Sequence, residues 1–250
     1  MKLMIVPIVA ALALAHPIAA KAQNASPEIQ AALADAGRPA DDKVRDAARH
    51  PGEILAFAGI KPGDKVADFM MGGGYWTRIL AKTVGDKGHV YGYQAKQFID
   101  YRAAYAEEQK AAVAGHDNVT PSSDSLASFS FPEPLDAVIT VQNWHDLHLA
   151  FAPKGFAETV ARRLYDTLKP GGVLLVVDHV AAADPDFAVP DKLHRIDPAA
   201  ARAEIEKAGF RFDGELNLLR NPADPHTANV FDASIKGRTD QFVYRFRKPG

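Results

Sequence analysis

The stretch from Val66 to Trp76, VADFMMGGGYW, limits the fold more than any other part of the chain. An apolar run that ends in an acid and three consecutive glycines, ahead of an amphipathic segment, reads as strand, tight turn, helix. Glycines there let backbone N–H groups and the helix N-terminus come close to a ligand. From Lys65 onward the unit repeats. The pattern predicts strands over Lys65–Phe69, His89–Tyr93, near Val119, over Leu135–Val141 and over Val173–Asp178. Helices fall between them at Trp76–Val84, Phe98–Ala114 and Pro153–Leu168. Short apolar strands separated by helices imply right-handed βαβ crossovers and a parallel sheet covered on both faces. Asp197 and Pro198 cap one more helix that ends at Gly209. Phe210–Leu218 and Gln241–Phe246 then follow with no helix between them, so they should pair antiparallel at one edge. The expected fold class is α/β: a doubly wound, mostly parallel seven-stranded, Rossmann-like sheet ending in an antiparallel hairpin.

The first 62 residues lie outside this pattern. MKLMIVPIVAALALAHPIAAKAQN carries Lys2, an apolar run to Ala15 and small residues up to Ala22, which fits a secretory signal cleaved after Ala22. The run of about 13 apolar residues is short of the roughly 20 that span a bilayer. The expected localisation is therefore periplasmic or secreted, without stable membrane insertion after cleavage. Residues 23–62 read as a helical extension, with Ser26 and Pro27 opening one helix, a second over Asp42–Ala48 and a turn at Pro62-Gly63. Residues 63–250 form the α/β domain. Cleavage leaves 27 basic against 31 acidic residues, which argues against nucleic acid or an anionic membrane as the main partner. With no cysteine, the chain has no disulfides, thiolate nucleophiles or cysteine metal sites.

The spacing of the glycine loop separates two cofactor classes. The dinucleotide fingerprint needs glycines at i, i+2 and i+5, and starting from Gly72 the third position is Thr77. It also needs an acid at the end of the second strand, where this chain has Gln94. An acid followed by glycines two, four and six residues later is the alternative. Asp68, Gly72 and Gly74 match it, and Met70 is the exception. In this loop, in LKPGGVLLVVD (Leu168–Asp178) and in the terminal hairpin, the chain resembles class I S-adenosylmethionine-dependent methyltransferases from about Lys65 to Lys248. More narrowly, NWHD, VDH, LHRID and TDQFV make it similar to a group of exported proteins predicted to be methyltransferases. The resemblance implies S-adenosylmethionine as cofactor, with Asp68, Gly72, Gly73, Gly74 and Tyr75 around its methionine portion. It also implies Gln94 in place of the usual ribose-binding carboxylate, and Asp124 or Ser125 beside the adenine.

Ligands in open α/β sheets bind outside the carboxyl ends of the strands. Three long loops fall there, and they hold five of the nine histidines: His145, His148, His179, His194 and His226. Asn143, Asp146, Asp178, Arg195, Asp197, Asp224, Arg238 and Asp240 accompany them. Methyl transfer needs an acceptor atom aligned with the sulfonium and a base for its proton. His145 is the first candidate for the base, oriented by Asp146 or Asp178, and His179 is the second. Each has a plainer alternative: Asp178 and Asp197 as caps, Trp144 as core, any one histidine as ordinary structure. His145, His148 and His179 with a carboxylate also make a ligand set for zinc or iron, though the HExxH spacing is missing. The leading expectation is methyl transfer to a small molecule with histidine-assisted proton removal. The alternatives are a methyltransferase-like domain that performs hydrolysis, elimination or metal-assisted chemistry, and a small-molecule binding module.

Overall fold

The computed structural model describes residues 24–250, so the expected signal segment lies outside the described residues. Three helices come first: α1 (Pro27–Ala34), capped by the Ser26 hydroxyl, which accepts from Ile29 N–H, then α2 (Ala40–Arg49) and α3 (Pro51–Ala58). The wound portion follows as β1 (Lys65–Phe69), α4 (Tyr75–Val84), β2 (His89–Tyr93), α5 (Lys96–Tyr101), α6 (Ala104–Val113) and β3 (Val119–Ser122). It continues with β4 (Leu135–Val141), a 3₁₀ turn His145–His148, α7 (Phe156–Thr167), β5 (Leu168–His179), α8 (Pro190–Leu193) and α9 (Pro198–Lys207). Last come β6 (Arg211–Glu215) and β7 (Gln241–Arg247).

The seven strands form one sheet in the order β3-β2-β1-β4-β5-β7-β6. The first five are parallel, and β7 runs antiparallel between β5 and β6. This is the wound sheet with a reversed edge that the sequence pattern implies. Alternate strand residues supply two cores. Val66, Val90, Ile139, Leu175 and Val243 pack under α1, α3 and α4, whereas Ala67, Phe69, Val138, Leu174 and Phe246 pack under α7 and α9.

Four segments depart most from the expected boundaries, and the first is the strand expected over Phe210–Leu218, which ends as β6 at Glu215 and passes into a 3₁₀ turn over Asn217–Leu219. The helix expected over Phe98–Ala114 is broken at Arg102-Ala103 into α5 and α6. HPGEILAFAGI contains α3, whose faces are almost all buried and therefore show no amphipathic period. The Lys169–Gly172 turn sits inside β5 as a bulge, because pairing with β4 jumps from Leu168 to Val173.

Strand order reverses between β1 and β4, so their carboxyl ends open a crevice at the switch point. The glycine loop leads from β1 into α4 across that crevice. Gly74, the residue before α4, has φ +78°, and an added Cβ there would lie 2.2 Å from the Ala112 Cβ. Gly73 has open space at the same place. Gly74→Ala is therefore expected to cost about 1–3 kcal/mol in urea unfolding, with Gly73→Ala nearly neutral.

Candidate active site

A cavity of about 870 Å³ opens at this crevice, within the range of small-molecule sites. Gly72, Gln94 and Asn143 form one end of its wall, and His145, His179 and His194 another. A second, polar pocket of about 170 Å³ adjoins the glycine loop, lined by Arg45, Arg49, Asp68 and Tyr75. Met70, Gly72, Gln142 and Asn143 border both spaces.

The loop is held from several sides. Met71 N–H donates to Tyr93 O at 2.9 Å, and Gly72 N–H donates to Gln94 Oε1 at 2.9 Å. The Asn143 amide donates to Met70 O at 3.0 Å and Val141 O at 2.8 Å, tying the end of β4 to the loop. Met70 takes φ +62°, the left-handed conformation glycine adopts freely, and its side chain packs into the core. Thr77, which breaks the dinucleotide spacing, donates its hydroxyl to Asp68 Oδ2 at 2.6 Å. Burial pushes the Asp68 carboxyl up to about 6, against the opposing effect of the Thr77 hydrogen bond.

Tyr75 faces the N-terminal helices. Its hydroxyl donates to Asp46 Oδ1 at 2.6 Å, and the Arg49 guanidinium lies 4.6 Å from its ring centre. No carboxylate among the described residues forms an ion pair with Arg49, which donates to Gln142 Oε1 at 3.5 Å. Neither Asp124 nor Ser125 lines the cavity. The Tyr93 hydroxyl donates to Asp124 O, and Ser125 Oγ accepts from Gln97, which does reach the wall.

At the other end Asp178, fully buried, fixes His145. One carboxylate oxygen accepts from His145 N–H at 2.7 Å; the other lies 2.8 Å from His145 Nδ1 and accepts from His179 N–H at 2.7 Å. His145 Nε2 lies 3.2 Å from Asp146 Oδ1. Burial opposes a charge on this ring, but the two carboxylates outweigh it and hold the imidazolium well above the usual histidine range. His179 is the reverse case, since burial lowers it to about 4 and leaves it neutral. Its Nδ1 lies 2.7 Å from Thr239 Oγ1. Among the described residues its Nε2 has no hydrogen-bond partner, and the ring faces the cavity.

The five loop histidines do not all converge. His179 and His194 stand 6.0 and 5.4 Å, ring centre to ring centre, from His145. His148 turns away, stacked on Phe187 with Nε2 at 3.2 Å from Glu204, the acid that also accepts from Trp144 Nε1. Trp144 is thus core. His226 pairs with Asp240, and Asp197 caps α9 by accepting from Ala199 N–H. Arg195 and Asp224 form a buried pair at 2.8 Å that anchors the loop between β6 and β7. Arg49, Gln142 and Gln97 at the site belong to no motif, and only tertiary packing brings them there.

No family model matches the chain. A 2-phytyl-1,4-naphtoquinone methyltransferase of Synechococcus elongatus is 27% identical over 126 residues, which cover 50% of this chain and 49% of that one. A protein-L-isoaspartate O-methyltransferase of Ignicoccus hospitalis is 29% identical over 124 residues, covering 49% and 51%. The chain thus spans about half the length of the curated relatives it matches. The crystal structure of a SAM-dependent methyltransferase from Aquifex aeolicus superposes with a TM-score of 0.55 at 20% identity, covering 84% of this chain and 98% of that one. The chain has the class I methyltransferase fold. In this fold, the crevice between β1 and β4 and the loops around it form the candidate site.

Because folding raises the Asp68 pKa, its neutral form favours the fold. That contribution is complete below about pH 4 and is lost as pH rises through 6, about 3 kcal/mol in all. Asp68→Asn is therefore expected to melt several degrees above wild type at pH 8, with the gap about halved at pH 5 and closed by about pH 4. Equal melting temperatures at pH 8 would show that Asp68 bears no such strain.

Proposed function

We propose that the protein transfers a methyl group from S-adenosylmethionine to a small-molecule acceptor. What carries this reading is that two adjacent spaces at the switch point share Met70, Gly72, Gln142 and Asn143 as lining: Arg49, which no described carboxylate pairs, and the glycine loop border one, and the histidine cluster borders the other. The residues fit the cofactor. Arg49 suits the amino-acid carboxylate, as does the N–H of Gly73, the residue of the three-glycine run whose N–H has no partner among the described residues; open space lies over Gly72 and Gly73. Gln94 uses its oxygen to accept from Gly72 N–H, which leaves its amide N–H groups to donate to a ribose hydroxyl. The wall at Gln97 then suits the adenine, with Ser125 behind it accepting from the Gln97 amide. Met70 closes one side of the loop without filling the cavity.

The cofactor, when bound, supplies an electrophilic methyl group, and the chain supplies position and proton acceptance. The cavity mouth carries Phe98, Tyr101, Phe151 and Phe231, of which Tyr101 is 89% and Phe231 63% exposed. Aromatic rims of this kind suit an acceptor with a flat apolar body. His179 Nε2, neutral and open to the cavity, is better placed to take the acceptor proton than His145, whose imidazolium holds its own proton between two carboxylates. With no ion bound, His145 acts as a positive group that orients the acceptor's heteroatom. Export of the chain is part of the proposal and rests on the composition of the first 22 residues.

Calorimetry of the mature protein with S-adenosylmethionine and S-adenosylhomocysteine tests the cofactor. Saturable binding is expected for both, and none by about 1 mM, roughly −4 kcal/mol, would refute the reading. Gln94→Ala should weaken both about tenfold by removing one hydrogen bond to the ribose. With an acceptor in hand, His179→Ala should lower kcat by about 10²–10⁴ at unchanged cofactor affinity. A full kcat in that variant would remove His179 from the reaction.

A further inference from the structure

We propose that His145 Nε2, a carboxylate oxygen of Asp146 and His194 Nδ1 bind one divalent transition-metal ion of the zinc type at the wall of the large cavity. The three ligand atoms lie within 4.8 Å of one another. Asp146 Oδ1 stands 3.2 Å from His145 Nε2 and 3.8 Å from His194 Nδ1. A tetrahedral zinc site with bonds of about 2.0–2.2 Å separates its ligands by roughly 3.3 Å, so a small closure of His194 completes the set.

The surroundings are those of a metal site. The second nitrogen of His145 is engaged by Asp178 at 2.8 Å, the carboxylate partner that metal-bound histidines characteristically have. His194 follows α8 in the left-handed conformation at φ +52°, and the Phe231 ring packs edge-on against it at 5.0 Å. Asp191, one turn earlier, accepts from Ala150 N–H at 2.7 Å and so joins the α8 loop to the segment after Asp146. Ligands from two separate loops are thereby brought together before any ion arrives. Two imidazoles and one carboxylate favour zinc, iron or a similar ion over magnesium or calcium, which take all-oxygen sets. Three protein ligands leave a position toward the cavity, as in catalytic zinc sites. An ion there replaces the proton held at His145 Nε2 and gives an acceptor oxygen a Lewis acid beside His179. That last role rests on methyl transfer, whereas the metal binding itself does not.

The test uses tag-free mature protein, stripped with a chelator and titrated with Zn²⁺ in the absence of cofactor. One equivalent is expected to bind with a dissociation constant of about 1 µM or below, while Mg²⁺ gives no saturable heat. His194 is partly exposed, so His194→Ala should remain folded and weaken Zn²⁺ at least about 100-fold, with Asp178→Asn costing about 10–100-fold. His148→Ala, on the far side at Glu204, should leave affinity unchanged. Co²⁺ should give visible d–d bands that His194→Ala abolishes. Absence of stoichiometric Zn²⁺ binding, or equal affinity in wild type and a folded His194→Ala, overturns the site. So does a loss in His148→Ala as large as that in His194→Ala. S-adenosylmethionine calorimetry is unaffected by any of these results, which keeps the two readings separable.

Discussion

Asp178 is the constraint on which the candidate site is built. A carboxylate buried at the end of a central strand is costly unless its lone pairs are filled, and here two backbone N–H groups and one imidazole fill them. Those bonds fasten the segment after β4 to the end of β5, so these two neighbouring strands present their polar residues as one surface beside the switch point. The β7 strand then closes the far side. Its first residue, Gln241, is registered with His179, and Gln142 donates to Gln241 across the same edge. Without Asp178 the histidines after β4 and β5 would have no common frame.

Charge is distributed to match. The cavity end near Asp178 holds one imidazolium among carboxylates and one neutral imidazole a ring away, so burial and partners push two histidines in opposite directions. Such divided behaviour is what acid and base roles require. The loop between β6 and β7 gains its order from ions. Arg195 donates to Asp224, Val180 O and Ala228 O, and Asp240 accepts from Arg220 and Asn221. Removing one member of the buried Arg195–Asp224 pair would leave an uncompensated charge beneath the site.

Much of the fold was legible in the sequence because its signals are local. Lys65–Phe69, His89–Tyr93 and Leu135–Val141 stand as strands at the residues where apolar runs meet turn signals. The reversed edge followed from two strands lacking a helix between them. Segments whose periodicity is hidden were not legible: α3 is apolar on nearly every side, and the break between α5 and α6 has neither proline nor glycine. For the site, the loops and the prominence of His145 could be read, but not the choice among histidines. His145 and His148 share one 3₁₀ turn, yet Asp178 holds one ring at the cavity and buried Glu204 draws the other away from it. Those partners lie 33 and 56 residues away. Arg49 reaches the glycine loop through the docking of α2, which no spacing in the chain announces.

That docking makes the N-terminal helices more than a cover. Arg38 binds Asp46 through two hydrogen bonds, Asp46 accepts from Tyr75 of α4, and Arg78 of α4 pairs with Asp42 of α2. The first turn of α4, which follows directly from the glycine loop, is therefore clamped by α2. Thermodynamic reciprocity follows: a ligand that stabilises the loop and Arg49 in this arrangement must stabilise the seating of the helices by the same free energy. Ordering of the glycine loop by a ligand and docking of these helices are then two readouts of one coupled equilibrium.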